Sequence, residues 1–277
     1  SFLSLYPDNQ NLRWIIYMTL VVDIGNTNIV CGIYNDDSLV WHARFRTDSR
    51  RTADEYFALL NSLRGSTWEI SAISNVIIAS VVPDLTRMWQ HLSTKHFGKE
   101  ALILNAYSDI GLSYVVKDPG FIGADLVANA FAVWKKYKSN TIIIDFGTAT
   151  TLQLVSSAGK FMGAIIAPGM KSAATELFEK AALLSEIELT TPPVLLGTNT
   201  KDAMLSGIVK GHAMMVESFI QELKKEYQSQ SPLQVIATGG ISDLLAPFIP
   251  SITLIDRTLT IEGIYLAAKT LLGSDIR

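Results

Sequence analysis

Cysteine is almost missing from this chain of 277 residues: Cys31 is the only one. A single thiol closes no intrachain disulfide and builds no zinc or iron–sulfur site from cysteine ligands alone. Long apolar runs are missing too. Near the N-terminus the longest is Trp14 to Val22, short of the roughly 20 residues that span a bilayer as a helix. There is no basic excess either. The net charge is −3, which offers nucleic acid no electrostatic footprint. Residues 1–17 contain Pro7, Asp8, Asn9 and Gln10 rather than the basic n-region of a signal peptide. They are expected to form an extension outside the fold, with Met18 as the natural start. Together these absences predict a cytoplasmic, soluble protein with no nucleic-acid or membrane partner. Two familiar phosphate-binding patterns are absent as well: neither G-x-x-x-x-G-K-[ST] nor a G-x-G-x-x-G between strand and helix occurs. His42, His91, His96 and His212 have no metal-ligand spacing and are expected to be structural.

What is present is apolar and periodic. Hydrophobic residues make up 48% of the chain and charged residues 18%, enough for a sizeable core and about two domains. An apolar strand running into Asp23 and strand patterns at 29–34 and 39–45 are joined by turn chemistry into an antiparallel meander. A helix is predicted over 53–63, a buried strand over 75–83 stopped by Pro83, a helix over 84–97 and a strand over 101–105. From Ala124 to Tyr137 the pattern is helical, with Leu126, Val127, Ala130, Phe131 and Trp134 on the buried side. Strands follow from 141 to Asp145, at 150–156 and at 161–169, helices at 170–183 and 201–228, strands at 234–238 and 251–256, and a last helix at 260–272.

One pattern occurs twice. VVDIGNTNIV (21–30) and TIIIDFGTATT (141–151) each run an apolar strand into an acid and a short Gly/Thr turn. They open two β-β-β-α-β-α halves whose boundary falls near 138–140, so the chain carries an internal repeat. Such a turn suits phosphate and magnesium. Glycine lets the backbone approach an anion, the turn N–H groups and the threonine donate, and the carboxylate holds Mg²⁺ through water. Either turn alone reads equally as an ordinary hairpin. Both together, at matched places, read as a clamp on a polyphosphate.

This architecture resembles the superfamily of actin, hexokinase, acetate kinase and the 70-kilodalton heat-shock ATPases. That resemblance implies an α/β fold of two ribonuclease H-like domains, 18–138 and 139–277 behind the 1–17 extension. Each would be a mixed sheet with flanking helices, with the active site in the cleft between them. It also implies that the later turn Ala237-Thr238-Gly239-Gly240 contacts the adenosine. A closer resemblance rests on DIGNTN (23–28), GAD (123–125), DFGTATT (145–151), APG (167–169), GTNT (197–200) and ATGG (237–240), in that order. This series, covering about Met18 to Leu272, is similar to type III pantothenate kinase. The resemblance implies ATP-dependent phosphorylation of the pantothenate 4′-hydroxyl, the first step of coenzyme A synthesis. It further implies a homodimer with pantothenate near the interface, and a need for Mg²⁺ and a monovalent cation, K⁺ or NH₄⁺.

Carried over by position, Asp23, Ile24, Gly25, Asn26, Thr27, Asn28, Ile29 and Val30 would line the ATP phosphates, with Asp23 on Mg²⁺, and Thr148 would contact ATP. Asp125 would accept the hydroxyl proton and Asp145 would hold the monovalent cation. Gly123, Ala124, Asp125, Leu126 and Thr200 would touch pantothenate. Read from the residues alone, Asp125 serves equally as an acid in a first helical turn, Asp145 as a turn-bonding residue and Thr200 as an N-cap. Two positions depart from the family pattern. Leu126 stands where the family has Arg, and Leu cannot replace a bidentate guanidinium. Val116 stands where the family has a substrate-contacting Tyr, and Tyr114, two residues earlier, is expected to take that role. The alternative from another class is a non-catalytic ATP-binding regulator, a transcriptional accessory protein of the same fold. Retention of Asp23, Asp125 and Asp145 argues against it. A sugar kinase or generic actin-like ATPase would carry extra subdomains, and an activator of an iron–sulfur enzyme would need more cysteine.

Overall fold

The structure, a computed structural model, describes residues 17–180, 187–227 and 233–273. The expected extension, apart from Tyr17, lies outside the described residues, as do the last positions of the helices expected at 170–183 and 201–228.

β1 (Met18–Ile24), β2 (Asn28–Asn35) and β3 (Ser38–Arg46) form the predicted antiparallel meander. The β2–β3 turn closes with Asp36 at φ 48°, a left-handed geometry that Asp tolerates better than most residues. α1 (Ala53–Leu63) begins with a capping box: the Glu55 N–H donates to the Thr52 hydroxyl and the Thr52 N–H to the Glu55 carboxylate. β4 (Ile73–Ser80) ends earlier than expected. Pro83 opens α2 (Pro83–Leu92) rather than closing the strand, because a first helical residue has no helical use for its N–H. β5 (Leu102–Leu104), β6 (Ser113–Tyr114) and α3 (Ala124–Tyr137) follow.

The second meander is β7 (Thr141–Phe146), β8 (Ala149–Val155) and β9 (Lys160–Pro168), followed by α4 (Met170–Lys180). The single helix expected from 201 is two, α5 (Thr200–Leu205) and α6 (Gly211–Glu226), joined by a π-turn at Ser206–Lys210. Gly207 lies within that widening and Gly211 follows it, where weak helix propensity lowers the cost of a break. β10 (Gln234–Thr238), α7 (Ser242–Leu245), β11 (Leu254–Ile255) and α8 (Leu259–Leu271) complete the described chain. The strand expected at 251–256 shrinks to two paired residues, because β11 is an edge with a partner only in β10.

The two sheets carry the repeat into topology. One has the order β3-β2-β1-β4-β5, and the other β11-β10-β7-β8-β9-β6. Read from β9, the second repeats the first strand for strand, with the antiparallel meander on one side and two parallel strands on the other. β6 adds to the outer edge of the second sheet although it precedes α3 in the chain.

Burial follows from this stacking. One face of the first sheet packs against α1 and α2, through Leu60, Trp89 and Ile78. The outer face of the second packs against α6 through Val216 and Ile220. Between the sheets lie α3 and α8, whose apolar side chains join one core with Val21, Ile77, Ile143, Phe161 and Ile236. α3 is therefore buried almost all round along its first three turns. Trp134, expected in the core, is only partly buried and lies beneath Gly159. α3 and α8 meet backbone to backbone: a methyl placed on Gly263 would lie 2.0 Å from the Ala128 carbonyl oxygen.

Candidate active site

The first turn is held to its own sheet. The Gly25 N–H donates to the Asn28 carbonyl at 3.0 Å, the Thr47 hydroxyl to the Gly25 carbonyl at 2.7 Å, and the Thr47 N–H to the Thr27 carbonyl at 3.0 Å. Strand alternation then sorts the predicted residues. Asp23 and Val30 share a cross-strand row on the face toward α3 and α8, while Ile24 and Ile29 point into the core on the opposite face. Ile24 and Ile29 thus offer the cleft only backbone. Asn26 and Thr27 form the exposed tip.

The second turn is built alike. The Gly147 N–H donates to the Ala149 carbonyl at 3.0 Å, and the Thr148 carbonyl accepts from the Gly169 N–H and the Ser172 hydroxyl. Gly169 is obligatory at this approach, since a methyl there would fall 2.2 Å from the Thr148 oxygen. Behind the turn, the buried His212 ring pairs with the Thr150 hydroxyl at 2.9 Å, and burial lowers its pKa. The two turns face each other and touch: the Thr27 and Thr148 hydroxyls are 2.7 Å apart.

Asp125 enters from between the sheets, in the first turn of α3. Its carboxylate accepts from the Leu126 N–H at 2.9 Å and folds back over Gly123, where a methyl would lie 2.4 Å from the carboxylate oxygen. The glycine two residues before the acid leaves room for the carboxylate, which a side chain there would push aside. One helical turn later, Asn129 is fully buried; its amide donates to Asp145 at 3.2 Å and its carbonyl accepts from the Thr260 hydroxyl at 2.8 Å. Asn129, Thr260, Thr47 and Ser172 escaped the sequence reading. Only Asn129 left a signal, as a polar residue on the buried stripe of an apolar helix.

The three acids feel one another. Burial raises the Asp23 pKa to about 8, with Asp125 and Asp145 adding to the shift and Arg44 opposing it. Burial, then Asp125, raises Asp145 to about 6 against the Asn129 hydrogen bond. Burial also raises Asp125 against its backbone hydrogen bonds. Among the described residues no group of three or more His, Cys, Asp or Glu is placed to share one metal ion. Such a site suits a cation that takes one carboxylate and fills its other positions with phosphate oxygens and water, which is the habit of Mg²⁺.

The remaining predicted residues are less tightly gathered. Leu126 is 4% exposed, and its side chain belongs to the central core rather than to the cleft. Ala124 is buried beside it. Tyr114 packs against Phe161, and its hydroxyl is buried without a hydrogen-bond partner among the described residues; burial pushes its pKa up to about 12. Thr200 begins α5 but does not cap it. The cap is Asn199, whose side-chain oxygen accepts from the Asp202 N–H at 2.9 Å.

A sequence profile of the type III pantothenate kinase family matches residues 19–222. The type III pantothenate kinase of Roseiflexus sp. is 39% identical over 250 residues, spanning 90% of this chain and 97% of that protein. Among solved structures, a ROK family glucokinase from Streptomyces griseus in complex with glucose and AMPPNP aligns with a TM-score of 0.54 at 13% identity, covering 91% of this chain and 98% of that one. The activator of the 2-hydroxyisocaproyl-CoA dehydratase from Clostridium difficile, with bound ADPNP, aligns with a TM-score of 0.53 at 13% identity, over 91% and 93% of the two chains. At that identity the likeness is one of fold: an actin-like ATPase architecture. No helix among the described residues is long and apolar enough to cross a membrane.

Proposed function

The chain belongs to the type III pantothenate kinase family, and we propose that its cleft transfers the γ-phosphoryl group of ATP to the 4′-hydroxyl of pantothenate. The observation that carries this reading is the convergence of Asp125 with two facing Gly/Thr turns that meet at Thr27 and Thr148. Phosphoryl transfer demands little covalent chemistry of a protein. It needs in-line positioning, charge neutralisation at the phosphates and a group to take the hydroxyl proton.

In this mechanism the residues from Asp23 to Val30 and Thr148 hold the phosphates, the turns through N–H groups and hydroxyls. Asp23 would hold Mg²⁺, which would supply positive charge to offset that of the phosphates. The pantothenate hydroxyl oxygen attacks the γ-phosphorus, its proton passes to Asp125, and ADP leaves. A carboxylate with a raised pKa is a stronger base than one at the surface, so burial in α3 fits Asp125 to that step. Asp145, held in place by the Asn129 amide, would hold the monovalent cation. Gly123, Ala124, Leu126, Thr200 and Tyr114 line the acceptor side, Ala124 and Leu126 through their backbone. The partnerless Tyr114 hydroxyl supports its place there, because a buried hydroxyl without a partner is costly.

The same reading takes the protein as a cytoplasmic homodimer. It also divides the lobes at 138/139, supported by the repeated strand order, although α8 returns to pack on β1 and β4 of the first sheet. The deciding experiment measures ADP release with and without pantothenate. Pantothenate-dependent turnover is expected. ATP binding without it would overturn the kinase and leave a regulator.

A further inference from the structure

We propose that Arg44 binds the phosphate chain of the nucleotide, reaching from the first sheet toward the Gly239–Gly240 turn of the second. The proposal rests on the cleft being the ATP site. Strand register supplies its first support. Asp23 pairs with Val30 and Val30 with Arg44, so these residues form one row across β1, β2 and β3. Directly opposed residues of adjacent strands share a face, which puts Arg44 on the face that presents Asp23. Its neighbour Phe45 is buried in the core on the other face and fixes the strand in that orientation.

Reach is the second support. A methyl built on Gly240 would lie 3.6 Å from an Arg44 guanidinium nitrogen. The side chain therefore crosses from the phosphate-turn sheet to the second sheet. The turn it approaches packs tightly on the second phosphate-turn strand: Gly239 has φ +96°, and a methyl there would strike the Phe146 backbone at 2.6 Å. Electrostatics supply the third. Arg44 favours the ionised form of Asp23, against burial and the two neighbouring acids. Among the described residues the guanidinium makes no hydrogen bond and no salt bridge, unlike Arg50, Arg64, Arg87 and Arg257, which are each paired. A polyphosphate entering a cleft lined by three carboxylates needs fixed positive charge, and a guanidinium matches phosphate oxygens two at a time.

The test compares wild type, Arg44→Gln and Arg44→Lys, titrating MgADP and adenosine separately by calorimetry and measuring KM for pantothenate. Arg44→Gln is expected to weaken MgADP by roughly 10- to 100-fold, the ratio for losing a hydrogen bond to a charged group. Adenosine binding and the pantothenate KM should stay as in wild type, and Lys should recover part of the loss. Unchanged MgADP affinity in Arg44→Gln would overturn the proposal. So would an equal loss for adenosine, which marks a merely structural role, or a rise confined to the pantothenate KM, which would place Arg44 on the acceptor. Wild-type turnover with pantothenate is read first, so failure of the kinase assignment shows before any variant is compared.

Discussion

Asp125 and Leu126 are adjacent in sequence and opposite in environment. The carboxylate faces Asp23 and Asp145, and the leucine faces the core shared by α3 and α8. Asp125→Asn keeps the shape that Gly123 accommodates and removes the base. Turnover is expected to fall by roughly 10²-fold or more with MgATP affinity retained; a pre-steady-state rate equal to wild type would take Asp125 out of the chemistry. For Leu126→Arg, the sequence by itself suggests tighter substrate binding, since the family has Arg there. Burial reverses the expectation. The guanidinium would displace a core side chain, so the melting temperature should drop by several degrees, as for a destabilisation of about 1–3 kcal/mol, with no fall in pantothenate KM. A lower KM in that variant would show that position 126 reaches the substrate after all.

At the scale of elements, the α3–α8 pair is the part on which the cleft depends. α3 carries Asp125 and Asn129, and α8 carries Thr260, which orients the Asn129 amide toward Asp145. The two helices approach closely only because position 263 has no side chain. Gly263→Ala is thus expected to destabilise, by about 1–3 kcal/mol as overpacking does, despite alanine's better helix propensity. Chemical denaturation measures it, and a stabilised variant would mean the helices separate without strain. The helices themselves were legible in the sequence. α1 and α3 begin and end where the apolar period places them. The break at Ser206–Lys210 and the loss of most of the 251–256 strand were not, because a π-turn and an edge pairing are settled by packing.

For the whole molecule, gathering acids in one cleft sets a pH dependence. Asp23 and Asp145 have pKa values of about 8 and about 6 in the fold, against roughly 3.9 in an unfolded chain. Between pH 4 and 8 the folded state therefore holds more protons than the unfolded state, and stability falls as pH rises. Below about pH 4 both states are protonated and the slope from these groups vanishes. Without nucleotide, Asp23→Asn should melt higher than wild type at pH 8 and alike at pH 4. Scanning calorimetry across that range decides it, and a variant less stable than wild type at pH 8 would refute the electrostatic account.

The sequence by itself determined the two acid-and-glycine turns, Asp23-Ile24-Gly25-Asn26-Thr27 and Asp145-Phe146-Gly147-Thr148, the apolar strands that run into them and the glycine each turn needs. Those are local matters, governed by alternation, turn chemistry and the space a missing side chain leaves. Only the tertiary structure decided that Thr27 and Thr148, 121 positions apart, come within hydrogen-bond distance. It also decided that Asn129 bridges α8 to Asp145, that Leu126 faces inward, and that Arg44 reaches the opposite sheet. Each of those depends on how α3 and α8 pack between two sheets, and that packing is fixed by the complementary shapes of buried surfaces distant along the chain.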